Sequence, residues 1–565
     1  MKALLAAMIA ASLSVGCSVL EGEQVASDTG GGGTTSPAPS GNNSNGPTVY
    51  MDCDSGVESP TRSAFSEHAV WSRNVTNCDG GGWVSADTTD ENGNFYFMMN
   101  EPGSSPGQTN TKIVKLNNNG SEQWSQELSI DFETSGGGWD ANRLVVDTQG
   151  NIYGITSSNH HYGPSSDNQT IKRTLFKYSS AGVEQWQVED TYTVEAGSYS
   201  YGHNPLEVFV DSSGNFYTSR KDDVEIYYSD NDSYDRYQQT IIDKYSSSTG
   251  EKLWSKEFVS DNTNYHHSGN VVFENSGGFY MRTQEDVFDN VSSSTTTEYK
   301  IVKYNNDGVE QWNKSVPSES IHSLTVIGDN VYFTDGSSSD GYNLLKYSHA
   351  GVELWNFSVP YSHVEIRLAQ DGSVYLSGGY RTITKYSSAG SLLWTEEFDS
   401  DPGFVFGHSS INLDGNGNVY LFRDVEELHD NGTKTFRSHL AKYSSSNGVE
   451  QWKLDVMGLT IDASEYDYMH SWSYPIIDAS GDVFVHSHVH GYKSGSSPGN
   501  FNQTVFAKYS SDGTKLWEEA KNDWFHAGLT AGQNGEVYLF DEQHSNFDSM
   551  GYPMGPGTSF YLKLR

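Results

Sequence analysis

The sequence predicts an all-β chain folded as a single large β-propeller of four-stranded antiparallel blades. Three observations carry this expectation. A polar turn followed by an alternating strand recurs nine times, a hairpin ending in tryptophan recurs eight times, and the 3.6-residue apolar period of a helix is absent from the repeats. Composition narrows the function. The 565 residues carry 34 Lys and Arg against 73 Asp and Glu, a formal charge of −39. Such a field repels nucleic acid and anionic lipid surfaces, so neither is expected as a partner. Length alone would suggest about four domains of roughly 150 residues. The internal repetition overrides that count.

The elements follow in chain order. Residues 1–16 place Lys2 before the apolar run Ala3 to Ala11 and then small residues up to Gly16. This is the layout of a signal peptide, too short to span a bilayer permanently. Leu13-Ser14-Val15-Gly16-Cys17 resembles a bacterial lipobox, which implies lipidation of Cys17, and Ser18 resembles the outer-membrane sorting pattern of such lipoproteins. The alternative is an ordinary cleaved signal with an incidental cysteine. Residues 17–48, rich in Gly, Ser and Asn, have little to bury and read as a flexible tether. The propeller is expected over 49–565. Of the three cysteines, Cys17 takes the lipid, which leaves Cys53 and Cys78 as a disulfide pair in an oxidising compartment. The bridge would close a loop of about 25 residues, worth roughly 3 kcal/mol.

The turn-and-strand motif is seen in Asp90 to Tyr96, Asp147 to Tyr153, Asp211 to Tyr217 and Asp414 to Tyr420, with related copies ending at Tyr280, Tyr332, Tyr375, Phe484 and Tyr538. The hairpin is seen in Lys177-Tyr178-Ser179-Ser180-Ala181-Gly182-Val183-Glu184-Gln185-Trp186, where polar residues and then Gly turn the chain. Its tryptophans are Trp124, Trp186, Trp254, Trp312, Trp355, Trp394, Trp452 and Trp517. The shortest repeat exposes four strands, at 323–327, 330–334, 343–347 and 352–357. The last repeat ends after its third strand, Phe560 to Leu564, and Ala69-Val70-Trp71-Ser72 resembles the missing fourth. The N-terminal strand around Trp71 should therefore join the C-terminal blade and remove the open edges. The count is nine blades, with eight as the alternative.

Gly-Asn-x-Tyr strands followed by Lys-Tyr-x-x-x-Gly-x-x-x-Trp hairpins resemble the bacterial β-propeller repeat known as SBBP. They are more distantly similar to quinoprotein-type propeller blades. The resemblance implies the fold and leaves the activity open, because propellers host unrelated functions.

In such a blade, turns one-to-two and three-to-four share one face and are uniformly short here. The loops between strands two and three, at 218–239, 282–299, 423–438, 487–504 and 541–558, are long and share the other face. Binding is expected on that variable face. A histidine recurs before strand one: His203, His267, His322, His363, His408, His470 and His526, with Trp83 and Trp139 in the first two units. These side chains would ring the channel mouth and capture a metal, an anion or a sugar. Alternatively, Gly202-His203 and Gly407-His408 resemble the Gly-His of WD-repeat propellers, where the imidazole is a structural hydrogen-bonding group. In Val485 to His490, period two places His486, His488 and His490 on the side of Phe484, where two could share a zinc- or copper-like ion with His544 as a further ligand. The alternative is a set of solvated or aromatic-stacked histidines. Asp230 to Asp235 has calcium-like oxygen ligands without the full loop and reads as a solvated loop. The Asp-x-x-Gly-Asn turns are explained by side-chain to backbone bonds without a metal. Lys115, Lys177, Lys244, Lys303, Lys346, Lys385, Lys442, Lys508 and Lys563 recur once per blade, which suggests blade packing rather than catalysis.

No nucleophile elbow, His-Glu-x-x-His, phosphate loop or dinucleotide fingerprint appears, and no catalytic residue or cofactor is specified. The expected function is that of a monomeric, non-enzymatic cell-envelope lipoprotein at the outer membrane. Its variable face would bind an envelope protein or a glycan, and the lipid would be its sole contact with the membrane. The alternative is a propeller enzyme, quinoprotein-like oxidoreductase or polysaccharide-active hydrolase or lyase, with its site at the channel mouth.

Overall fold

The computed structural model describes residues 68–74, 83–102, 109–128, 142–158, 169–194, 198–200, 204–228, 233–260, 271–289, 294–316, 324–337, 341–359, 364–378, 382–397, 404–429, 433–462, 468–492, 501–521, 526–532, 535–543 and 558–564. Among these residues the regular elements are β-strands, arranged as the nine antiparallel sheets of a nine-bladed β-propeller. The chain forms two compact units. Trp83–Asn117 and Glu122–Ser362 make one; Met1–Gly82, Asn118–Ser121 and His363–Arg565 make the other.

The first unit holds blade 1 (83–128), blade 2 (143–194), blade 3 (198–260), blade 4 (271–316) and blade 5 (324–359). In blade 3 the first strand is split into Ser198–Ser200 and Asn204–Val210, both paired with Phe216–Tyr228. The second unit holds blade 6 (364–397), blade 7 (404–462), blade 8 (468–521) and blade 9 (526–564), completed by Ala69–Asn74. Ala69–Asn74 pairs with Thr558–Leu564, with Trp71 opposite Lys563. The expected closing strand is therefore in place, and Trp71 takes the ninth tryptophan position.

Within each unit the first strands of neighbouring blades lie against one another, as do Arg143–Val146 with Trp83–Thr89 and Phe404–Leu413 with Tyr468–Ile477. The fourth strands form the outer edges. Glu122, Glu184, Glu310, Glu353 and Glu450 are exposed there. Charge on an edge strand opposes pairing with another sheet, which gives part of the acidic excess a structural reason.

The core lies between blades because each strand alternates. Tyr96 and Met98 of blade 1 pack with Leu144, Ile152 and Phe176 of blade 2. Tyr420 and Phe422 of blade 7 pack with Val483, Val485 and Val505 of blade 8. Tyr153, Tyr217, Tyr280, Tyr375 and Tyr420 are fully buried, so the repeated Tyr anchors these junctions.

One expectation changes in form. Much of the segments at 218–239, 282–299 and 423–438 is strand. Phe216–Tyr228 pairs with Ser233–Tyr245 over thirteen positions, Phe279–Asp289 with Ser294–Tyr304 over eleven, and Val419–Leu428 with Thr433–Tyr443 over ten. The alternating run Val224-Glu225-Ile226-Tyr227 and the β-branched run Thr295-Thr296-Thr297 favour extended backbone, and continued pairing satisfies their N–H and C=O groups.

Candidate functional site

The two ends of the blades differ in what their side chains do. At the end of the short turns, Tyr96, Lys115 and Trp124 stand opposite one another on strands two, three and four. Lys115 Nζ and Trp124 Nε1 both donate to the carbonyl oxygen of Ser180 in the next blade's hairpin, at 2.9 and 3.1 Å. The same pair of donors meets Ser247 O from Lys177 and Trp186, Asn306 O from Lys244 and Trp254, and His349 O from Lys303 and Trp312. Ser445 O accepts from Lys385 and Trp394, and Ser511 O from Lys442 and Trp452. The ammonium also lies over the blade's own Tyr ring, 5.0 Å away for Lys115 and Tyr96. The recurring lysine is a blade-packing group, as its regularity suggests. Lys563 of blade 9 reaches the residue equivalent to Ser180, Asn118, but donates to its side-chain Oδ1 rather than to the backbone carbonyl.

The glycine of the hairpin is explained by the same contact. At Gly182, φ is +80° and a Cβ would stand 2.7 Å from the Trp124 ring; at Gly250, φ is +72° and the Trp186 ring is 2.6 Å away. The Asp-x-x-Gly-Asn turns are also self-contained. Asp90 Oδ1 accepts from the Asn92 and Asn94 amides, and Oδ2 from Asn94 Nδ2 and the Tyr96 hydroxyl. Burial first, and then the Asp90 carboxylate, pushes the Tyr96 hydroxyl above the usual phenol range. Carboxylates engaged in this way account for the turns without a metal.

One junction departs from this pattern. His349 replaces the usual Ser or Asn, and Glu274 the turn Asp; His349 Nδ1 is 2.8 Å from Glu274 Oε1, while Lys303 Nζ approaches Nε2. Glu274 is also 3.2 Å from Lys303, so the cluster is a variant of the clamp.

Away from the turns the symmetry breaks. Between blades 2 and 3, Arg173 pairs with Asp190 and lies 3.2 Å from Asp243, which also meets Arg220 at 3.3 Å and Lys252 at 3.6 Å. The Arg173 and Asp243 side chains are 4% and 1% exposed. Burial alone would raise the Asp190 pKa, but Arg173 and Lys252 outweigh it and hold the group below the usual carboxylate range. Between blades 7 and 8, Ser438 Oγ donates to Asp424 Oδ1 at 2.7 Å and lies 2.8 Å from Ser487 Oγ.

His486 and His488 share the side of Phe484, as the strand period requires, and the structure places both in the core. His486 stacks on Phe506 with ring centroids 4.4 Å apart and planes at 5°. Burial pushes its pKa down to about 4. His488 Nδ1 is 2.7 Å from Thr504 Oγ1. His486 takes the strand-two position held by Met98, Ile155 and Phe422 in other blades, which suits a packed aromatic group. Among the described residues no group of three or more His, Cys, Asp or Glu is placed to hold a metal. The side chain of His490, and the whole of His544, lie outside the described residues.

Of the recurring histidines, His408 and His470 lie inside first strands, Phe404–Leu413 and Tyr468–Ile477, and His526 opens His526–Ala531. Their side chains lie outside the described set, as do His203, His267, His322, His363, Trp139, Cys17, Cys53, Cys78 and Asp230 to Asp232. Sequence reading missed the Arg173, Asp190 and Asp243 network. The signal was present as Arg173 and Asp190, opposite one another at paired positions of a hairpin.

The family profile described as outer membrane protein assembly factor BamB matches residues 238–368. No curated protein sequence matches the chain. Among solved structures, BamB from Moraxella catarrhalis is 11% identical, covering 65% of this chain and 99% of its own, with a TM-score of 0.27. The WD40 domain of SCAP from fission yeast is 10% identical, covering 88% and 98%, with a TM-score of 0.31. The Dos1 propeller is 11% identical, covering 80% and 98%, with a TM-score of 0.35. Overlaps this low carry no functional argument. The chain is a nine-bladed β-propeller with a distant similarity to the quinoprotein-type repeat.

Proposed function

We propose that this chain is a cell-envelope lipoprotein whose propeller binds a protein or glycan partner through the end of its blades opposite the short turns, the hairpin end at which strands two and three are joined. One observation carries the reading. At the turn end the polar chemistry is consumed inside the fold, with Lys and Trp closing on the same carbonyl at six junctions, whereas at the other end the blades differ in length and charge. Strands of thirteen residues reach about 43 Å and those of five about 17 Å, so the hairpins of blade 3 offer surface that blade 6 lacks. The match of 238–368 to the profile of an outer membrane assembly factor supports an envelope setting and a protein partner.

In this reading residues 1–16 direct export, Cys17 carries the lipid, 17–48 is the tether, and Cys53 pairs with Cys78. The histidines at the first strands, His408, His470 and His526 among them, would supply polar contacts to the ligand. The module needs no catalytic group and works as a monomer.

Two measurements test the proposal. Cys17→Ser should abolish incorporation of labelled palmitate and move the protein from the membrane to the soluble fraction; a wild-type chain that takes up no lipid would refute the anchor. A photo-crosslinking residue at Asn231, which falls in sequence between the paired strands Phe216–Tyr228 and Ser233–Tyr245, should give a discrete adduct in intact cells, while one at Thr249, in the blade 3 turn, should not. Equal or reversed labelling would refute the choice of face.

A further inference from the structure

In eight blades the third and fourth strands are joined by a hairpin. In blade 9 they are distant in sequence, and Ala69–Asn74 pairs with Thr558–Leu564 without a turn connecting the two. This changes the junction between blades 8 and 9. Trp517 occupies the position of Trp124, but no turn links Thr558–Leu564 to Ala69–Asn74 to supply the equivalent carbonyl, and among the described residues its buried Nε1 has no hydrogen-bond partner. Lys508 turns back onto its own blade, 3.0 Å from Asp482 and 3.6 Å from Asp478.

The place of the hairpin glycine is taken by an imidazole. Gly182 lies on Trp124, Gly250 on Trp186, Gly351 on Trp312, Gly448 on Trp394 and Gly513 on Trp452. On Trp517 lies His68, with ring centroids 4.3 Å apart and planes at 9°, and its Nε2 is 3.2 Å from Glu519 Oε1. The strand behind it pairs at five positions and carries an irregularity between Ala69 and Trp71. Its departure breaks no hairpin and leaves the other three strands of blade 9 connected in sequence.

We propose that His68 to Asn74 is a releasable strap, clasped by His68 on Trp517 and Glu519, and that blade 9 opens by undocking this strap while the neighbouring blades stay folded. Segments that open locally are those with few buried apolar contacts. In the strap Val70 is exposed and Ala69 is only partly buried against the core of blades 8 and 9, and because no turn connects the strap to the strand it completes, it can leave without unfolding that strand. Its release bares the outer edge of Thr558–Leu564 and the face of Trp517.

Hydrogen exchange read by mass spectrometry on the full chain tests this. In the wild type, amides of Thr558–Leu564 should exchange faster than those of Thr382–Tyr386, the equivalent third strand of blade 6, whose hairpin is intact. His68→Ala should speed exchange in 558–564 and 515–521 by about threefold to tenfold, the loss expected for one stacked ring pair, and leave 382–397 unchanged. His68→Phe, which keeps the stack, should stay close to wild type. Equal protection of the two third strands in the wild type would overturn the proposal. So would acceleration spread evenly over all blades in His68→Ala. If His68→Ala does not fold, the wild-type comparison and His68→Phe decide.

Discussion

The turn end and the hairpin end of each blade are made from the same four strands and obey opposite rules. At the turn end one solution is reused: Lys and Trp on a neighbour's carbonyl, Gly beneath the Trp, Asp closing its own turn. At the other end, and in the junctions leading to it, each pair of blades is filled differently. Blades 2 and 3 share an ion network and blades 7 and 8 a chain of hydroxyls on Asp424, while blade 8 carries two buried imidazoles on the side of Phe484, the side that packs against blade 9. Repetition marks what every blade needs in order to pack. Departure from it marks what one junction does alone, and only such positions are free to be specialised.

The largest expected effect strikes the specialised junctions. Buried His486 is held neutral with a pKa near 4, against 6.5 for the exposed group. Between these values the unfolded chain binds a proton that the folded chain refuses. The stability is therefore whole above about pH 6.5 and falls as pH drops towards 4, by on the order of 3 kcal/mol for full burial. Urea midpoints measured at about pH 7 and pH 4.5 should show this loss in the wild type. His486→Phe, which keeps the stack on Phe506 and copies Phe422 of blade 7, should flatten it. An unchanged pH slope in that variant would place the acid sensitivity elsewhere.

A smaller effect is expected at the repeated end. Gly250→Ala places a Cβ at a φ of +72° and 2.6 Å from Trp186. Left-handed backbone costs an L-residue about 1–2 kcal/mol, and crowding the indole adds to it, so a loss of about 2–3 kcal/mol is expected in denaturant unfolding. The indole must shift, so tryptophan fluorescence should change as well. A neutral outcome would show that the hairpin glycine is incidental to the Trp contact.

The two ends were also unequally legible in the sequence. Gly, Asp and Trp at fixed offsets encode the turn end directly, because φ > 0, an Asx turn and a large ring each demand a particular residue. From these the blade count, the closing role of Trp71 and the packing role of Lys115 and its equivalents could be read. The contents of a junction could not, since Arg173 meets Asp243 across 70 residues and no local pattern announces the pairing. The histidines show the same limit. Period two put His486 and His488 on one side of the strand, but whether that side faced solvent or the next blade depended on blade 9, whose Val537 and Leu539 pack with Phe484 and Phe506. The segments at 218–239, 282–299 and 423–438 are largely strand rather than loop because runs such as Val224 to Tyr227 pair across the blade, and length alone does not reveal a pairing partner.

The smallest effect is expected where the comparison is sharpest. In blade 4, Tyr299 is the last residue of its strand that also pairs with the fourth strand, opposite Val316. Beyond it, among the described residues, 285–289 and 294–298 pair only with each other, as a ribbon of two strands. A two-stranded ribbon is marginal by itself and adds little to the sheet that bears it. Replacing 285–298 by Asn-Gly, which joins the paired residues Gln284 and Tyr299, should therefore change the unfolding free energy by less than about 0.5 kcal/mol. A loss comparable to that of Gly250→Ala would mean that the ribbon is part of the scaffold. If stability is kept, retention of so long a ribbon has to be explained by what it contacts, because folding does not require it.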